Sequence, residues 1–88
     1  MFTVLWSDDA LFEVAWVWDN ADSAIRQKIA PAMRAIDKRL AEDPWNAGES
    51  RSAGRRILLE FPLGVLFKIA RANNVVHVVN VWTFKSKH

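Results

Sequence analysis

Cysteine and tyrosine are both missing from this chain, and only three glycines, three prolines and two histidines occur among its 88 residues. Without cysteine there are no disulfides, thiolate metal centres or thiol nucleophiles, and the composition suits a reducing compartment. Without tyrosine a common acid–base group and a common nucleic-acid contact are gone. No run approaches the roughly 18 apolar residues that would cross a bilayer. The opening Met1-Phe2-Thr3-Val4-Leu5-Trp6 passes straight into Ser7-Asp8-Asp9, lacking the basic region and apolar stretch of a secretory leader. A cytoplasmic protein with no membrane segment is expected. Low-complexity tracts and internal repeats are also absent.

The residues that are present describe a folded chain. A hydrophobic share of 51% with 25% charged residues is ordinary for a globular protein, and the length allows one domain, residues 1–88, with a single thin core. Five Trp and five Phe supply much of its bulk, since each aromatic buries roughly 150–250 Å². Charge is divided unequally. From residue 51 onward seven Lys/Arg face one acid, Glu60, a net of +6, whereas the first fifty residues hold five Lys/Arg against nine acids, a net of −4. The overall charge of +2 hides that split. It points to an anionic partner for one half and a protein partner for the other.

Residues 2–6 have strand composition. Ser7 is a good N-cap, Asp8 and Asp9 suit the positive end of a helix dipole, and Leu11, Val14, Ala15 and Trp18 recur at helical spacing to about Asp19. Trp6, Trp16 and Trp18 are expected mostly in the core. Asp22 caps a second helix over residues 22–42, with Ile25, Ile29, Met33, Ile36 and Leu40 on its apolar stripe and a kink expected before Pro31. A loop follows to Gly54. Residues 55–61 read as a strand, Pro62-Leu63-Gly64 as a turn, and Val65, Phe67 and Ile69 as the apolar face of a second strand. Asn73-Asn74 suits a hairpin turn. The last strand, residues 75–84, has apolar residues in both parities. It is either covered on both faces or bulged near Asn80. The expected fold is α+β, in the order β-α-α-β-β-β, with a helical hairpin packed on a twisted, mainly antiparallel sheet.

Several local sequences fall in a telling order. They are Ala35-Ile36-Asp37 through Leu40, Asp43-Pro44, Gly48-Glu49-Ser50-Arg51, Arg56, Pro62-Leu63-Gly64-Val65 with Phe67, and Val76-His77-Val78-Val79-Asn80-Val81-Trp82. Together, over residues 22–84, they make the chain resemble the RelE/ParE superfamily of type II toxin–antitoxin toxins, in particular the plasmid-stabilisation branch. The resemblance implies a small bacterial toxin held inactive by a cognate antitoxin that wraps it. It implies one of two targets. RelE-like toxins enter the ribosome and act as mRNA endonucleases, whereas ParE-like toxins inhibit DNA gyrase without nuclease chemistry. An inactive relic that keeps only antitoxin binding is a third reading.

Cleavage in the RelE manner needs neither metal nor cofactor. The ribose 2′-OH attacks the adjacent phosphate, so the protein must take up a proton, stabilise the phosphorane and protonate the leaving oxygen. Arg56, Arg71, Lys85 and His88 are the candidate catalytic residues. Arg51, Arg55, Lys68, Trp45 and His77 are the candidates for RNA binding, with Arg suited to bidentate phosphate contact and Trp45 to base stacking. In related ribosome-dependent toxins a His, Tyr or Lys near the C-terminus supplies the acid, and Lys85 and His88 occupy that region here. His77 and Glu49 are further proton-transfer candidates. Each also has a structural reading: His77 as a packed strand residue, Arg55 and Arg56 as partners of Glu49 or Glu60, and Lys85, Lys87 and His88 as a solubilising tail.

Overall fold

The computed structural model describes residues 1–85. Its elements are β1 (Thr3–Trp6), α1 (Asp8–Asn20), α2 (Ser23–Glu42), β2 (Glu49–Ser50), β3 (Arg55–Glu60), β4 (Leu63–Ala70) and β5 (Val75–Thr83), with short 3-10 turns at Pro44–Asn46, Ser52–Gly54 and Arg71–Asn73. Both helices begin at the expected caps. The Ser7 hydroxyl accepts from the Ala10 amide at 3.0 Å, and the Asp22 carboxylate accepts from the Ile25 amide at 2.9 Å. Each satisfies a donor that the first helical turn leaves over. α2 runs as one helix through Pro31, so the backbone bond that proline removes does not divide it.

All five strands lie in one sheet, in the order β1-β5-β4-β3-β2. Its pairs are antiparallel except β1 with β5, which run parallel. A parallel neighbour requires a long crossover, and the helices and the meander between these two strands supply it. One face of the sheet carries the helices. Leu58 of β3, Leu63, Val65 and Phe67 of β4, and Val76, Val78 and Val81 of β5 are buried there against Ala10 and Val17 of α1 and Ile29, Ala32, Ile36 and Leu40 of α2.

β5 keeps this pattern by means of a bulge. Phe67 pairs with Val78 but Leu66 pairs with Asn80, leaving Val79 extra. The insertion resets the alternation, so Val78 and Val81 both face the helices. Beyond Val78 no β1 residue flanks β5, and α1 satisfies the open edge instead. The Ser7 hydroxyl donates to the Val79 carbonyl at 2.9 Å. The Glu13 carboxylate accepts from the Val81 amide at 3.0 Å and from the Asn80 side chain at 3.1 Å. An edge served in this way is closed to further pairing at those groups.

Some sequence expectations need correction. Gly64 belongs to β4 rather than to the turn. It sits opposite Trp82, and a Cβ there would lie 2.5 Å from the indole. Trp16 and Trp18 are 58% and 45% exposed rather than core. α1 buries Ala10 and Val17, while the Leu11, Val14, Ala15 and Trp18 stripe lines an open cleft of about 390 Å³ toward Ile29 and Met33 of α2. Trp6 is partly buried and donates its indole N–H to Asp37 at 2.7 Å. The Asn74 turn is as expected, with φ of 53° in the left-handed region that Asn tolerates. Among the described residues no helix is long and apolar enough to cross a membrane.

Candidate functional site

Strand register decides which charges meet on the helix-free face. Leu5 pairs with His77, His77 with Lys68, and Lys68 with Arg55. These four residues form one row across β1, β5, β4 and β3, and all four are exposed. Directly opposed side chains have Cβ atoms about 4.5–5.5 Å apart, so the three basic groups form a continuous strip. Two contacts to Ser52 orient the Arg55 guanidinium, 3.1 Å to its carbonyl and 3.1 Å to its hydroxyl. The next row, Asn80, Leu66, Ile57 and Glu49, is mostly uncharged, and the row beyond it holds Trp82, Gly64 and Leu59. The face therefore changes from cationic at one end to apolar at the other. Glu60, the one acid of the basic half, faces the helices and lies 3.9 Å from Arg39.

Arg56 points the other way. It pairs with Phe67, on the side that packs against the helices. Its Nη2 donates to the Trp45 carbonyl at 2.9 Å and approaches the Ala47 carbonyl at 3.5 Å. Its Nε is buried without a partner. Arg56 is thus a clamp on the loop after α2. Arg71 follows β4 and stacks its guanidinium over the Trp45 ring, 5.4 Å from the centroid. Arg51 is paired with Glu49 at 3.1 Å. Lys85 follows the far end of β5, roughly 20 Å or more from His77 at about 3.3 Å per strand residue. His88 lies outside the described residues.

The structure thus brings Arg55, Lys68 and His77 together, and sets Trp45 and Arg71 in contact near that end of the sheet. It does not gather Arg56, Arg71 and Lys85 around one point. No group of three His, Cys, Asp or Glu residues suited to holding a metal ion occurs among the described residues.

A second feature lies at the opposite end of the molecule. Trp16 and Val17 of α1, Ile25 of α2, Phe61 of the β3–β4 turn, and Phe84 and Lys85 line a groove of about 780 Å³. Phe61 and Phe84 meet edge to face at 5.7 Å, and the Lys28 ammonium lies 5.6 Å from the Phe61 ring centre. Phe12, one turn before Trp16, is 76% exposed. Sequence reading missed this groove. Its signal in the sequence is that Phe12 and Trp16 fall off the Leu11, Val14, Ala15 and Trp18 stripe, two aromatics four residues apart on another side of α1.

No protein-family model matches the chain, and no curated protein matches it in sequence. Solved structures do match. The chain is similar to a structure of the chromosomal ParDE toxin–antitoxin system of Pseudomonas aeruginosa, at 20% identity and a TM-score of 0.72, covering 97% of this chain and 98% of that one. It is similar to the RelBE2 toxin–antitoxin complex of Mycobacterium tuberculosis at 17% identity and a TM-score of 0.75, covering 97% and 93%. The isolated Escherichia coli RelE toxin aligns at 14% identity and a TM-score of 0.64, covering 99% and 88%. At these identities the likeness establishes the fold, and the fold is that of the RelE/ParE toxins.

Proposed function

We propose that the chain is the toxin of a type II toxin–antitoxin pair, with the Arg55–Lys68–His77 row as its working surface, directed at the ribose-phosphate backbone of mRNA on the ribosome. The row itself carries this reading. Three adjacent strands each place one exposed basic side chain at the same level of the helix-free face, a strip suited to polyanion binding. Cleavage there forms the bond from the 2′-oxygen to phosphorus and breaks the bond from phosphorus to the 5′-oxygen. His77 takes the 2′-OH proton. Arg55 holds the non-bridging oxygens, and the Lys68 ammonium gives its proton to the leaving 5′-oxygen.

The antitoxin is the second partner. The groove beside Trp16, Phe61 and Phe84, with Lys28 and Lys85 at its rim, fits an apolar segment with acidic flanks. An acidic antitoxin tail would also neutralise the cationic row. A bacterial cytoplasm is the compartment in which both partners would be met.

The test is a reconstituted translation reaction with the mRNA ends mapped by primer extension. Ribosome-dependent cuts are expected from the wild-type protein and should disappear in Lys68→Ala. One observation favours gyrase inhibition as a second reading: Arg56 and Lys85 stand apart from the row. That reading predicts intact mRNA and gyrase-dependent DNA breaks. Unchanged growth on expression would instead mark an inactive antitoxin-binding chain.

A further inference from the structure

We propose that Trp82 is a nucleobase platform, the base-recognition subsite of the surface whose phosphate-binding part is the Arg55–Lys68–His77 row. The proposal rests on the RNA reading above and deepens it. Strand register places the ring. Trp82 pairs with Gly64 and Gly64 with Leu59, so these three residues form a row parallel to the cationic one. Gly64 lies between Leu63 and Val65, whose side chains are buried under the helices. Its own side-chain direction is therefore toward the helix-free face. A Cβ in that direction would lie 2.5 Å from both Cε2 and Nε1 of the Trp82 indole. The indole thus rests on the bare backbone of Gly64, on the same face as Arg55, Lys68 and His77. Lys68 and Gly64 are four residues apart on β4, a separation of about 13 Å at about 3.3 Å per residue. A short single strand of RNA can span that distance.

The chemistry between the two rows agrees with this role. Leu66 and Ile57 lie between the cations and the indole, and Leu59, beside Gly64, is 53% exposed. Along β4 the face passes from the Lys68 ammonium through Leu66 to the covered Gly64. A nucleotide has the same division, with an anionic phosphate at one end and a flat base with apolar faces at the other. Trp82 sits inside a nine-residue strand, Val75–Thr83, yet stays partly exposed. A ring fixed in advance by the sheet loses little freedom when a base stacks on it, and stacking accepts any base. Gly64 acts here as a positioning residue, because any side chain at that place would lift the indole from the sheet.

Binding separates this subsite from the phosphate row. The probes are an end-labelled adenosine hexanucleotide RNA, labelled polyphosphate as a base-free polyanion, and a labelled peptide of alternating Glu and Leu. All three are read by fluorescence anisotropy at fixed salt. Trp82→Leu keeps an apolar cover on Gly64 and removes the aromatic face. It is expected to weaken the hexanucleotide about tenfold, the scale of one stacked base, and to leave polyphosphate unchanged. Trp82→Phe keeps a ring and should retain most of the affinity, which also guards against a folding defect. The double variant Arg55→Ala/Lys68→Ala should weaken both the hexanucleotide and polyphosphate. If Trp82→Leu leaves the hexanucleotide unaffected while the double variant weakens it, the platform is overturned and the RNA surface stands. If the double variant weakens neither polyanion, the RNA surface itself falls, and the platform with it. Equal weakening of hexanucleotide and polyphosphate by Trp82→Leu would make the ring a support for the sheet and overturn base recognition. Weakening of the peptide alone would assign the apolar end of the face to a protein partner and overturn it equally.

Discussion

Arg55 and Arg56 are adjacent in sequence and face opposite sides of the sheet, so replacing each by methionine should give sharply different results. In Arg56→Met the charged hydrogen bond to the Trp45 carbonyl, 2.9 Å in the native protein, is lost, at a cost of roughly 1.5–3 kcal/mol. Methionine keeps most of the aliphatic stem over the core. It also removes the buried, unpartnered Nε, returning about 1 kcal/mol. The net destabilisation is about 0.5–2 kcal/mol, which for a domain of this size lowers the melting temperature by roughly 2–16 °C. Arg55→Met removes two surface contacts to Ser52, and its effect should stay within about 0.5 kcal/mol. Thermal and urea unfolding followed by far-UV circular dichroism measures both. Binding to a short RNA should show the reverse order, with Arg55→Met weakened at an unchanged melting temperature. Equal destabilisation by the two variants, or an Arg56→Met protein as stable as wild type, would refute the clamp assigned to Arg56.

Other consequences concern the same framework. Gly64→Val places a branched side chain where even a Cβ would lie 2.5 Å from the Trp82 ring, and displacing that ring should cost about 1–3 kcal/mol; a loss below about 0.5 kcal/mol in denaturant unfolding would contradict the contact. Glu13→Ala strips the Val81 amide of its acceptor, costing about 1–2 kcal/mol. Amide hydrogen exchange at Val81 should accelerate, and unchanged protection would show that the carboxylate does not serve that edge. Trp16→Ala with Phe84→Ala should weaken binding of the antitoxin proposed for that groove by about tenfold or more, as for central aromatic anchors, in titration calorimetry against a cognate antitoxin. Undiminished affinity would place the antitoxin elsewhere.

The legible parts of this fold are those set by local chemistry. Ser7 and Asp22 announce both helix starts because a short oxygen-bearing side chain before an apolar stripe has few other uses. The alternation in β4 announces one buried and one open face. The mixed parity of β5 allowed two explanations, and the bulge at Val79 is the one the molecule uses. Long-range pairing was not legible. Nothing local in Thr3–Trp6 says that it lies parallel to β5, and two residues, Glu49 and Ser50, are too few to signal a strand.

The site follows the same division. The chain carries an obvious excess of positive charge, but side-chain direction decides which charges share a surface. Parity required Arg55 and Arg56 to face opposite sides without saying which faced the helices. The register of three strand pairs then aligned Arg55, Lys68 and His77, while strand length carried Lys85 away to the opposite end. In α1 apolar residues surround the helix, so periodicity could not choose between the Leu11–Trp18 stripe and the Ala10–Val17 stripe. Packing over the edge of β5 made that choice and left Trp16 facing the groove.

The proposed function makes the cationic row on the helix-free face the seat of toxicity. It is measured by growth after induced expression of the wild-type chain and of the triple variant Arg55→Ser, Lys68→Ser, His77→Ser, with an unchanged thermal unfolding midpoint as the control for folding. The proposed function predicts growth arrest by the wild-type protein and normal growth with a triple variant of unchanged stability. Arrest by a triple variant as strong as that of the wild-type protein would contradict it, because the working surface would then lie elsewhere on the molecule.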